Sequence, residues 1–91
     1  MLNSDQSALS LQEIKEVVKS YILGEFLPGE DPAALADSTP LITGGIFDSL
    51  ATIRLTLFLE KQFQIQLKAH ETMVDYLNTI EDIAQLVYSK T

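Results

Sequence analysis

The stretch DSLATIRLTLFLEKQF, Asp48 to Phe63, decides how the rest of the chain is read. Asp48 is a good N-cap, because its carboxylate can accept one of the free N–H groups at a helix start. From there Leu50, Ile53, Leu57 and Phe58 recur at helical spacing and form the expected inward stripe. Leu55, Leu59 and Phe63 widen that stripe. A helix over Ser49–Phe63 this apolar needs cover on most sides, which places it at the centre of the fold.

Immediately before it lies a long connection over residues 28–47. It holds all three prolines, Pro28, Pro32 and Pro40, and three of the four glycines. A loop of about twenty residues is unusual in a compact domain and is often functional. Leu35, Leu41, Ile42, Ile46 and Phe47 make it only partly polar, so several of them should tuck back onto the core. Ala33–Ala36 suits one helical turn. Before the loop, Ser10 and Glu13 form an S-x-x-E capping box at the start of a first helix. Leu11, Ile14, Val18, Tyr21 and Ile22 give that helix one apolar face. It should end between Gly24 and Leu27, since Pro28 and Gly29 follow. Residues 1–9 read as a flexible polar lead.

After the central helix, QIQLKAH (residues 64–70) alternates briefly. With no partner strand in the chain it is read as an extended link. A short helix is expected from Glu71 to Leu77. Thr79 then caps a last helix, with Asp82 three residues on and Ile80, Ile83, Ala84 and Val87 on its inner face. The sum is an all-α four-helix bundle: three longer helices, a short third helix and a long first loop. The 91 residues make one domain with a core over about 10–88. A domain of this size buries only about 60% of its unfolded surface, so its stability rests on good helix packing.

Charge narrows the partners. Six basic residues face thirteen acidic ones, a formal charge of −7. Such a surface repels phosphate backbones, so nucleic-acid binding is not expected. No cysteine is present, so there is no disulfide and no thiolate metal site. The first ten residues carry no positive charge and no apolar run, and no window approaches the ~20 apolar residues of a membrane span. The chain is therefore expected to be cytoplasmic, monomeric and not inserted in a membrane.

Catalytic readings find little support. A serine nucleophile needs a base within hydrogen-bond reach, and the one histidine, His70, lies in the link after the central helix. No G-x-S-x-G elbow, acid/base pair, P-loop or calcium loop is present. No catalytic and no metal-binding residue is assigned. Ser49 stands apart. It begins the most apolar helix, where free N–H groups and partial positive charge favour a phosphate ester. Gly44 and Gly45 just before it allow close approach of another protein. A capping role explains the same position equally well on these grounds alone.

Gly45-Ile46-Phe47-Asp48-Ser49-Leu50, followed by the apolar helix, resembles the G-x-x-D-S-L pattern of the phosphopantetheine-binding carriers, the acyl and peptidyl carrier protein family. Thr39-Pro40-Leu41-Ile42 is similar to a turn in that family's first loop. Leu59–Leu67 and Thr79–Val87 are similar to the exit from its second helix and to its last helix. The resemblance covers about residues 10–88. It implies that Ser49 is the attachment point of 4′-phosphopantetheine, transferred from coenzyme A by a phosphopantetheinyl transferase. The arm's thiol would hold acyl cargo as a thioester, and the domain itself would not be an enzyme. Loading enzymes and downstream synthases or transferases would be its partners. They would meet the start of the second helix through Phe47, Asp48, Leu50, Ala51, Ile53 and Arg54. Ile53 could equally serve the core.

The chain departs from the fatty-acid pattern, which places acidic residues early in this helix. Here Ala51 and Arg54 stand instead, with no acid between Asp48 and Glu60. A cation there would repel a basic docking patch. That points to a specialised, secondary-metabolite type of pathway, with an aminoacyl or peptidyl carrier of a nonribosomal-peptide-like system as the alternative. A cofactor-free helical adaptor would share the fold but use Ser49 only as a first-turn residue.

Overall fold

Ser10 starts the first helix through a reciprocal cap. Its hydroxyl accepts from the Glu13 N–H (3.1 Å), and the Glu13 carboxylate accepts from the Ser10 N–H (2.8 Å). Such a cap contributes about 1 kcal/mol. In the computed structural model, which describes residues 9–91, helix α1 then runs over Leu11–Phe26 and buries Ile14, Val18 and Ile22. Most of the expected lead, residues 1–8, lies outside the described residues. Leu9, assigned to that lead, packs half-buried against the core.

All regular structure among the described residues is helical. The long loop makes one 3₁₀ turn at Pro32–Ala34, one residue ahead of the expected turn at Ala33–Ala36. Asp31 starts it by accepting from the Ala33 N–H (2.9 Å). Leu35, Leu41 and Phe47 do return to the core and are buried, while Ile42 and Ile46 pack half-buried beside it.

Helix α2 spans Ser49–Phe63, with the Asp48 carboxylate accepting from the Ala51 N–H at 2.8 Å. It ends at Gln64, whose φ of 57° is left-handed; the Gln64 N–H bonds back to the Glu60 carbonyl. The facing of α2 differs from the expectation. Leu50, Ile53 and Leu57 are 65, 56 and 60% exposed, whereas Ala51, Leu55, Leu59 and Phe63 are buried. Leu55, Leu59 and Phe63, expected to widen the inward stripe, do face the core, but of Leu50, Ile53, Leu57 and Phe58 only Phe58 turns inward, stacking on Tyr21 with ring centroids 3.8 Å apart. The reason is one-sided cover. The buried side chains of α1, α4 and the long loop form one core with Leu55 and Leu59, and the described residues leave Leu50, Ile53 and Leu57 on the opposite face of α2 mostly exposed. The helix is therefore not enclosed.

The segment after α2 is shorter in its helices than expected. Residues 65–68 form no regular structure, with Lys68 extended, and Leu67 N–H is held by the Glu60 carboxylate (2.9 Å). The single helix expected at Glu71–Leu77 is split. A 3₁₀ turn occupies Ala69–Thr72, Met73 is extended, and α3 is the one turn Val74–Leu77. Helix α4, Ile80–Lys90, is capped by Thr79 accepting from the Asp82 N–H (3.0 Å). Its inner face is the expected one, with Leu86 added. It lies along α1 and α3.

Ion pairs tie the periphery. Lys15 of α1 reaches Asp37 of the loop (3.2 Å) and Glu81 of α4 (2.6 Å). Lys90 at the end of α4 pairs with Glu71 (2.9 Å), which fixes the 3₁₀ turn to the last helix. No helix among the described residues is long and apolar enough to cross a membrane.

Candidate functional site

Three elements converge on Ser49. The first is the loop segment 41–47, held from across the molecule by Asn78, the residue between α3 and the Thr79 cap. The Asn78 carbonyl accepts from the Leu41 N–H (2.6 Å). Its side-chain oxygen accepts from the N–H groups of Ile42 (2.9 Å) and Thr43 (3.0 Å). Its NH₂ donates to the Thr43 hydroxyl (3.2 Å). One residue thus satisfies three successive loop N–H groups, which would otherwise need water. The loop then closes on itself as the Phe47 N–H bonds the Leu41 carbonyl (2.8 Å).

Two glycines shape that closure. A Cβ on Gly44 would lie 2.2 Å from the Pro40 carbonyl oxygen, and Gly45 sits at φ 86°. Both are needed for the loop's own path. The sequence reading gave them to partner approach, and the intramolecular contacts supply a sufficient reason by themselves.

The second element is an aromatic row. Phe47, 3% exposed, packs on Phe26 (4.8 Å), Phe26 lies edge-on to Tyr21 (5.7 Å), and Tyr21 stacks on Phe58. The end of α1 therefore grips both the approach to α2 and its middle. Tyr21 also donates its hydroxyl to the Arg54 carbonyl (3.3 Å), and burial pushes its phenol pKa up.

The third element is the first turn of α2. Ser49 is exposed there. It opens onto a groove of about 430 Å³ that runs along α2 toward Met73 and Val74. Ile42, Ile53 and Leu57 give the groove apolar walls, and Thr52, Thr56 and Thr72 line it as well. Each of those threonine hydroxyls donates to a backbone carbonyl: Thr52 to Asp48 (2.9 Å), Thr56 to Thr52 (2.9 Å) and Thr72 to Ala69 (2.7 Å). With their protons committed, the hydroxyl oxygens can act toward the groove only as acceptors. No histidine lines the groove; His70 is exposed and lies edge-on to Tyr76 (5.8 Å).

The residues expected to meet partners divide into two groups. Leu50, Ile53 and Arg54 are exposed beside Ser49, and Asp48 caps the helix with its carboxylate. Phe47 and Ala51 are buried, at 3 and 8% exposure, and belong to the core more than to the exposed face expected to meet partners. The core role weighed for Ile53 is likewise overturned by its exposure. Arg54 is not a free cation: it pairs with Glu25 (3.0 Å) and lies over the Phe26 ring, 5.3 Å from its centroid. Two contributors escaped the sequence reading. Leu57 is grouped by its spacing with Leu50 and Ile53 but expected inward with them, whereas all three are exposed. Asn78 carries no such signal, because its partners are 35 and 36 residues away. No group of side chains among the described residues could hold a metal ion.

No protein-family model matches the chain, and no curated protein matches it.

Proposed function

We propose that the chain is a non-catalytic carrier that tethers acyl intermediates as thioesters on a 4′-phosphopantetheine arm attached to Ser49. The observation that carries the reading is the placement of Ser49. Its hydroxyl is exposed on the first turn of a helix anchored on its other face, at the mouth of a groove sized for a small ligand. A phosphoester at that position meets the helix N-terminus, with partial positive charge and N–H groups that Asp48 only partly occupies. The groove's apolar walls suit the arm's hydrocarbon parts, and its three threonine acceptors suit amide N–H groups.

On this reading the chain supplies the nucleophilic oxygen and nothing more. A phosphopantetheinyl transferase supplies the base that takes the Ser49 proton, the Ser49 oxygen bonds phosphorus, and the nucleotide part of coenzyme A leaves. That division of labour fits a groove without a histidine. The bound arm supplies a thiol that a chain without cysteine does not have. A specialised cytoplasmic pathway is favoured over fatty-acid synthesis because the exposed face of α2 carries Arg54 and no carboxylate. An aminoacyl or peptidyl cargo is compatible with the same site, and an adjacent adenylation enzyme or ketosynthase in the genome distinguishes the two.

The test is intact-mass measurement after incubation with coenzyme A and a transferase of broad specificity. The wild type should gain one phosphopantetheine group, and Ser49→Ala should gain none. Wild-type protein that stays unmodified with several such transferases sinks the carrier reading. A cofactor-free adaptor, by contrast, keeps its partner when Ser49→Asp is made.

A further inference from the structure

The outer face of α2 combines two properties that a soluble acidic domain has no folding reason to combine. Leu50, Ile53 and Leu57 project 65, 56 and 60% exposed at spacings of three and four residues, so they form one ridge. The charges on that face are Arg54, between Leu50 and Leu57, and Lys61, one turn beyond Leu57. No exposed position of α2 carries a carboxylate, although the chain has thirteen acids against six bases. The one acid of the helix, Glu60, is half-buried and turned to the Leu67 N–H. Elsewhere the acids dominate. Of the acids beside the ridge, Asp48 is engaged as the cap and Glu25 with Arg54.

We infer that this ridge docks a protein partner whose contact surface is an apolar hollow rimmed by carboxylates. Hydrophobic contact at the centre of an interface gives the affinity, while rim charge gives orientation and rejects wrong partners. An apolar ridge that keeps only cations on a strongly negative domain selects acidic rims and turns away a second copy of itself. The Glu25–Arg54 pair does not block this. Both side chains are about half exposed, and such pairs contribute little, so Arg54 can exchange Glu25 for a partner's carboxylate without large loss. Its stacking over Phe26 keeps the guanidinium at the ridge during that exchange. The inference deepens the carrier reading by naming the chemistry of its partner, yet it needs no modification of Ser49.

The test uses the full chain carrying Ser49→Ala and two synthetic amphipathic helical peptides. Both peptides have the same leucine stripe, flanked by glutamate in one and lysine in the other. Binding is followed by 15N–1H spectra. The glutamate peptide should shift the signals of Ile53 to Lys61, and the charge reversal Arg54→Glu with Lys61→Glu should weaken it by about tenfold. Raised salt should weaken it too, and Leu57→Gln should weaken it at any salt. Circular dichroism checks that each variant keeps its helices. The proposal is overturned if the lysine peptide occupies the α2 face as tightly, or if neither peptide shifts it. Because Ser49 is absent from this experiment, its failure leaves the mass-gain result intact, and the reverse also holds.

Discussion

The amide oxygen of Asn78 takes two neighbouring loop N–H groups, and its carbonyl takes a third. Replacing it by leucine removes the side-chain acceptor and leaves the half-buried Ile42 N–H without a partner. Asn78→Leu should therefore lower stability by about 1–3 kcal/mol, read by urea unfolding. Asn78→Asp keeps an acceptor for both N–H groups and should cost less. On the proposed carrier reading, and because the loop leads directly into Asp48 and Ser49, the leucine variant should also slow phosphopantetheine transfer more than the aspartate variant does. Gly44 acts at the same scale. Gly44→Ala sets a methyl group against the Pro40 carbonyl, which is backbone and can yield only by moving the loop. On the same reading its expected signature is a loss of transfer rate with the helical content unchanged in circular dichroism.

Helix α2 is closed by Gln64, a residue with a Cβ held in left-handed backbone. Glycine relieves that strain, at the loss of an exposed bond from the Gln64 side chain to the Lys61 carbonyl. Gln64→Gly should raise stability by ~0.5–1 kcal/mol and the Tm by a few degrees, measured by thermal melting. The starts of the three longer helices were legible in the sequence because each is marked by an oxygen-bearing side chain. Ser10, Asp48 and Thr79 all cap where expected. The facing of α2 was not legible. Its apolar residues form two stripes of equal period, one led by Leu50 and one by Ala51. Both stripes are expected inward, and Ala51 at the surface, yet only the stripe of Ala51, Leu55 and Leu59 is buried. Hydrophobicity cannot rank two such stripes; only the position of α1 and the loop does. The break at Met73 escaped for a related reason. A helix of one turn draws its boundaries from tertiary contacts, not from its own propensity. Of the candidate site, Ser49 and its cap could be read, whereas the groove could not. It needs residues from the loop, α2 and the turn before α3 at once.

Across the whole molecule, a few charge pairs set how stability follows pH. Bonds from the Lys68 N–H and Lys90 hold the Glu71 carboxyl below its ordinary range, and Lys15 with Gln85 does the same for Glu81. The Ser10 cap lowers Glu13. Depressed carboxyls contribute stability that is present above the ordinary carboxylate range and lost as pH falls through their folded values. Lys15 is raised, by Glu81 first and Asp37 second. Its contribution is fully present below the ordinary lysine range and lost as pH rises through the raised value. Urea unfolding across pH should thus show a plateau from the carboxylate to the lysine range, with a fall on either side. Lys15→Met should shallow both limbs, since it also removes what lowers Glu81. Added salt should shrink the contribution of these exposed pairs.

The stack of Tyr21 on Phe58 gives the molecule a built-in spectroscopic reporter. The chain has no tryptophan and three tyrosines. Tyr76 and Tyr88 are exposed, while Tyr21 is held between two phenylalanines with its hydroxyl bonded to the backbone of α2. A near-ultraviolet dichroic band from tyrosine therefore arises chiefly from Tyr21. It follows the seating of α2 against α1 in wild-type protein, with no label attached. Any event that shifts α2 while leaving the helices formed will be visible there and silent in the far ultraviolet.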